Sequence, residues 1–117
     1  MWQVNPEYMC NRHLLGEHLE MHMYVGQIKR RINLDGYAAN NLLETKGIRK
    51  RHDALVAEME LRGMKHKSPL ADYDLSYLPD RIINSTVDRE ASLAELLNRC
   101  DDCGHYYNSA TNSDLLP

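Results

Sequence analysis

Apolar residues recur at helical spacing along three stretches of this chain, and no stretch alternates long enough to build a sheet. The first stretch runs from about Arg12 to Arg31, where Leu14, Leu15, His18, Leu19, Val25 and Ile28 fall on or near one side. Asn11 is its expected N-cap, and Asn33, Asp35 and Gly36 end the pattern. The second spans about Leu43 to Arg62, with Ile48, Leu55, Val56, Met59 and the stem of Arg62 as its stripe and Gly63 just past its end. The third starts after Ser85 or Thr86, shows Leu93, Leu96 and Leu97, and is expected to stop before Gly104. Between the second and third lies MKHKSPLADYDLSYLPDRIINS, a 22-residue connection with two prolines. A loop of that length is functional or packed by its own aromatics. The expectation is an all-α fold: one domain over residues 1–117, three main helices with long connecting loops, and a loosely attached tail from about residue 108.

The length of 117 residues suits a single core. No run approaches the roughly 18 apolar residues of a membrane span, and MWQVNPEYMCNRH lacks the order of a secretory signal. Three cysteines cannot all pair within the chain, so the expectation is a soluble cytoplasmic protein in a reducing compartment, with no membrane partner. The net charge of −3 hides an asymmetry. From Gln27 to Lys67 ten Lys/Arg face five acids, whereas from Ser68 onward three face nine. Such a basic middle is either a solvated helix face or a phosphate-binding patch.

The residues able to carry chemistry cluster in HLLGEHLEMH. His13, Glu17 and Glu20 stand at i, i+4 and i+7 and share a helix face; His18 and His22, at i, i+4, share a neighbouring one. The second pair is a metal half-site awaiting a third ligand, or simply a packed pair; the zinc-protease spacing fails, since Leu19 follows His18. Cys100-Asp-Asp-Cys103 has ligand spacing, with His105 two residues on and Cys10 three residues before His13. One such motif alone is a weak zinc signal, and free structural cysteines are the expectation over a Cys10/Cys100/Cys103/His site. No metal and no cofactor is therefore expected, and no glycine-rich phosphate loop or nucleophile elbow is present.

The order of these residues resembles a known family. Asn5 is followed by His13-Leu14, by Glu20 seven residues past the histidine, and by Gly26. Then come Ile48-Arg49-Lys50-Arg51, Leu55 to Glu58, and Arg62-Gly63; later stand Glu90-Ala91-Ser92 and Arg99. The pattern is similar to the pyrimidine-dimer DNA glycosylases of the phage endonuclease V type, from Met1 to about Tyr107, with gaps in the loops. Its most specific stretch is IRKRxxxLxAExxxRG.

The resemblance implies a compact bundle of three helices that excises a damaged pyrimidine from double-stranded DNA and then nicks the backbone, acting as a monomer. In the family the chain's own α-amine attacks the sugar C1′ and forms a Schiff base. An ordinary α-amine has a pKa of about 7.7–8, so part of it is neutral at physiological pH. The essential glutamate matches Glu20 and the active-site histidine His13, while Arg99 matches a phosphate-binding arginine of the third helix. The basic residues expected at DNA are Arg30, Arg31, Arg49, Lys50, Arg51 and Arg99, of which the consecutive Arg49, Lys50 and Arg51 fan around a helix and cannot all reach phosphate. The sequence also departs from the family. Trp2 stands where a threonine follows the initiator, which would leave Met1 as the reactive residue. Gln3, Leu19 and Met23 occupy positions of family arginines. Three alternatives stay open: the same chemistry on another modified base, a noncatalytic nucleic-acid-binding module, and a small zinc-stabilised interaction domain.

Overall fold

The computed structural model describes residues 1–65 and 68–112. Their helices are α1 (Asn11–Lys29), α2 (Asp35–Ala39), α3 (Ile48–Leu61), α4 (Asp80–Ile83), α5 (Arg89–Arg99) and α6 (Asp101–Asn112), with short 3-10 turns at Pro6–Tyr8 and Thr45–Gly47. The chain is all-α, and among the described residues there is no strand. Nor is any helix there long and apolar enough to cross a membrane.

The core is made where α1 lies on α3. Leu14, Met21, Tyr24, Val25 and Ile28 from α1 meet Ile48, Leu55 and Met59 from α3, and all are buried. The stripes also carry an ion pair. Arg51 Nε and Nη2 donate to Glu17 Oε2 and Oε1 at 2.6 and 2.9 Å, both side chains being almost fully enclosed. Removing either partner of such a pair leaves a buried charge uncompensated, which costs about 3–5 kcal/mol.

Helix α5 starts at Arg89 with Asp88 as its cap, later than Ser85 or Thr86, and three other boundaries differ from expectation for a physical reason. Cys10 and not Asn11 caps α1, its sulfur accepting from the His13 N–H. Helix α3 starts at Ile48 and not at Leu43, because the preceding carbonyls have other partners. Leu42 O accepts from the Met1 nitrogen and Leu43 O from Ser85 Oγ, where a helix would have used both. The expected third helix is two: Cys100 is extended, at φ −132° and ψ 107°, so that α5 ends and α6 begins anew with Gly104 inside it. At the other end of α3, Gly63 takes φ +76°, the left-handed residue its position calls for.

The long connection is packed by its own aromatics. Tyr77 Oη donates to Ile28 O at 2.9 Å, Tyr73 Oη accepts from the Arg49 N–H at 3.2 Å, and Leu70 and Leu78 are buried. It also contains α4, and α2 forms where the first helical pattern was expected to stop. The tail expected from about residue 108 is helical as far as Asn112, where α6 ends, and His66, Lys67 and residues 113–117 lie outside the described residues.

Candidate active site

The first nine residues form an arm that runs back along the bundle, held by Arg51 of α3 and by Arg62, the residue that caps the C-terminus of α3. Arg51 Nη1 donates to Val4 O at 2.6 Å. Arg62 Nη2 donates to Pro6 O at 3.1 Å, while its Nη1 reaches Asn11 Oδ1 and its Nε pairs with Glu58. Asn5 caps the Pro6–Tyr8 turn, and Gln3 adopts a left-handed φ of 55°. Further along, Ser92 Oγ of α5 donates to Trp2 O in a short contact. The Met1 side chain is buried, with its sulfur accepting from the Glu44 N–H at 3.3 Å.

This threading sets the terminal nitrogen of Met1 2.6 Å from Glu20 Oε1, on the middle of α1, and 2.9 Å from Leu42 O, to which it donates. Both groups line a groove of about 510 Å³ whose other walls include Trp2, Tyr24 and the α5 residues Ser92, Glu95 and Arg99. The Glu20 side chain keeps about a third of its surface open, while its Oε1, the atom that meets the amine, is buried at the wall of the groove. Tyr24 donates its hydroxyl to Leu42 O. Burial, and then the Glu20 charge, push its pKa upward, so it remains a neutral donor. The amine and the carboxylate can thus exchange a proton directly, beside an open space.

His13 is placed elsewhere. Its Nδ1 lies 3.2 Å from Cys10 Sγ and 3.6 Å from Cys103 Sγ, and it does not line the groove. Burial, and then the charge of Arg12, lower its pKa. Its ring meets the edge of Trp2 at 5.9 Å, so contact with the groove runs through that indole. The expected pair His18 and His22 gains His52 from α3, with ring centroids 4.8–5.1 Å apart.

The basic candidates divide. Arg51 is a correction, since it is buried on Glu17 and Val4 and presents nothing at the surface. Arg30, Arg31, Arg49, Lys50 and Arg99 are exposed. Arg31 stacks on Tyr77 and Arg49 on Tyr73, and Arg99 pairs with Glu95 at the groove. The sequence pattern points to neither Leu42 nor Tyr24, and it includes Ser92 only within Glu90-Ala91-Ser92, with no role attached. Leu42 acts through its backbone, and Tyr24 carries no spacing signal. Leu19 and Met23 stand exposed on α1, with Leu15 on the same side.

A family model described as pyrimidine dimer DNA glycosylase matches residues 1–72, more than half of the chain, a span that includes the arm, α1 and α3. No curated protein matches. No solved structure matches.

Proposed function

The chain belongs to the pyrimidine dimer DNA glycosylase family, and we propose that it excises damaged pyrimidines from double-stranded DNA and cleaves the resulting abasic site, with Met1 and Glu20 as its catalytic residues. At family level a glycosylase-type function and a DNA substrate follow from membership itself. The observation that carries the finer reading is the 2.6 Å approach of the Met1 nitrogen to Glu20 Oε1 beside an open groove.

The chemistry follows from that pair. Glu20 takes a proton from the terminal ammonium and leaves a lone pair on nitrogen. That lone pair attacks C1′ of the deoxyribose as the C1′–base bond breaks, and the base departs with the bonding electrons and is protonated. The proton taken by Glu20 passes to that departing base, and the carboxylate so restored stabilises the positive charge now shared by the sugar and the attacking nitrogen. Glu20 then carries a second proton from that nitrogen to the ring oxygen O4′, the C1′–O4′ bond breaks, and an iminium forms between Met1 and C1′. A base then removes a C2′ proton, the electrons shift, and the 3′ phosphate leaves by β-elimination. Glu20 is the nearest carboxylate for that step. Water finally hydrolyses the imine and releases the amine. Arg99, exposed at the rim, is suited to a backbone phosphate, and Arg30, Arg31, Arg49 and Lys50 supply charge further out. His13, turned to the cysteines, is left out of these steps.

A second reading keeps the chemistry and changes the base. It is favoured by Leu19 and Met23, which present apolar surface where a phosphate-binding face would carry cations.

Incubating the protein with duplex containing a pyrimidine dimer under borohydride tests the reading. Reduction of the imine gives a stable covalent protein–DNA complex, and substrates carrying other modified bases separate the two readings. Strand cleavage with no trapped complex on any substrate would refute the amine mechanism.

A further inference from the structure

We infer that Cys10, His13, Cys100 and Cys103 form a structural zinc site that fastens α1 to the junction of α5 and α6. Three sulfurs and one imidazole nitrogen lie within 4.8 Å of one another. Zinc held at about 2.3 Å from sulfur and about 2.0–2.1 Å from nitrogen requires tetrahedral edges of about 3.8 Å between sulfurs and about 3.6 Å from sulfur to nitrogen. Three of the six edges are 3.9 Å for Cys10 Sγ to Cys100 Sγ, 3.2 Å for Cys10 Sγ to His13 Nδ1, and 3.6 Å for Cys103 Sγ to His13 Nδ1, and the other three are within 4.8 Å. The sulfur separation is nearly twice the length of a disulfide bond. Shifts of a few tenths of an ångström bring the first three of these edges to the lengths that zinc requires.

The backbone supports the same assignment. Each sulfur accepts one main-chain N–H: Cys10 Sγ from His13, Cys100 Sγ from Cys103, and Cys103 Sγ from Cys10. Such donors stabilise thiolate, the form that binds metal. The two half-sites are built alike. Cys10 precedes α1 and His13 sits in its first turn; Cys100 precedes α6 and Cys103 sits in its first turn. Both helix N-termini thus direct partial positive charge at the sulfurs. The spacing Cys-x2-His with Cys-x2-Cys is the paired pattern of a structural zinc site, its halves lying 90 residues apart in the chain. All three cysteines are at most 5% exposed, and with four protein ligands no coordination position is left for substrate. The ion's role is therefore to hold α5, which carries Ser92 and Arg99, against the arm and α1.

The test uses the whole protein, purified under reducing conditions from zinc-supplemented cells, and its readout does not depend on glycosylase activity. Elemental analysis should find about one zinc per chain. Replacement by cobalt should give thiolate-to-cobalt charge-transfer bands and the visible bands of a tetrahedral ion. The double variant Cys10→Ser with Cys103→Ser should lose the metal. Where that variant fails to fold, His13→Cys is decisive: it should keep the ion and shift the cobalt spectrum to that of four thiolates. His22→Gln, at the all-histidine cluster, should leave the thiolate–cobalt bands unchanged. Reduced, folded protein without zinc would overturn the proposal. So would cobalt bound without a thiolate band, an ion lost in His22→Gln, or a Cys10–Cys100 disulfide in freshly purified protein.

Discussion

Two side-chain clusters at α1 make a useful contrast. At its N-terminal end Cys10 and His13 meet Cys100 and Cys103 in a buried knot with its sulfurs turned inward. Near its middle Glu20 meets the Met1 nitrogen in an open groove. His13 and Glu20 are seven residues apart and share a face, yet a helix rises about 1.5 Å per residue, which sets them about 10 Å apart along the axis. That distance is enough to place them in different environments. One end is closed and suited to holding the chain together; the other is open and suited to reacting. The arm connects them, since Cys10 stands at its root and Met1 at its tip.

The strongest way to break this arrangement is to release the arm at its midpoint. Replacing Arg51 with Ala strands the Glu17 carboxylate and frees Val4 O, and urea denaturation should show a loss of about 3–5 kcal/mol. A loss below about 1 kcal/mol, the size of an exposed pair's contribution, would mean that Arg51 does not anchor the arm.

The open end is broken separately by Glu20→Gln. Strand cleavage should fall by about 10² or more, as expected when a general base is lost, with binding to lesion DNA maintained. Zinc content should not change, because Glu20 has no part in the knot. Cleavage at the normal rate would place the chemistry elsewhere.

Ser92→Ala sharpens the contrast more gently. It removes one hydrogen bond to Trp2 O, should cost about 1 kcal/mol, and should lower the rate of borohydride trapping by loosening the tip of the arm. Unaltered stability and trapping would show that α5 does not position the arm.

The smallest effect concerns the surface. Lys50→Ala should reduce the salt dependence of DNA binding by about one unit of slope if this exposed lysine meets phosphate. An unchanged slope would move the interface away from the N-terminal turn of α3.

Much of the helical pattern was legible because apolar residues at helical spacing have few other ways to be buried. The break at Cys100 was not, since cysteine lies outside the usual set of N-cap residues and Leu96 and Leu97 suggest a helix that continues. The late start of α3 was hidden for a different reason: backbone carbonyls at Leu42 and Leu43 serve the arm and a serine, and backbone partners leave no mark in side-chain periodicity. Glu20 and Met1 were named through resemblance and not through spacing, which treats Glu17 and Glu20 alike. A closer reading of the stripes does separate those two. Glu17 falls between Leu14 and Met21, and Arg51 between Ile48 and Leu55, so opposite charges occupy the apolar faces of two helices that pack together. The turn of His13 toward the cysteines needed the fold, because Cys100 and Cys103 reach it only after the chain has returned along α5.

The central claim is that the terminal amine at Met1 is the nucleophile beside Glu20. Peptide mapping by mass spectrometry of the borohydride-trapped complex tests it most directly. The α-nitrogen of Met1 should carry a deoxyribose remnant, with no adduct after that amine is acetylated. A remnant on a side-chain amine such as Lys29, or trapping that persists with the terminus blocked, would contradict it.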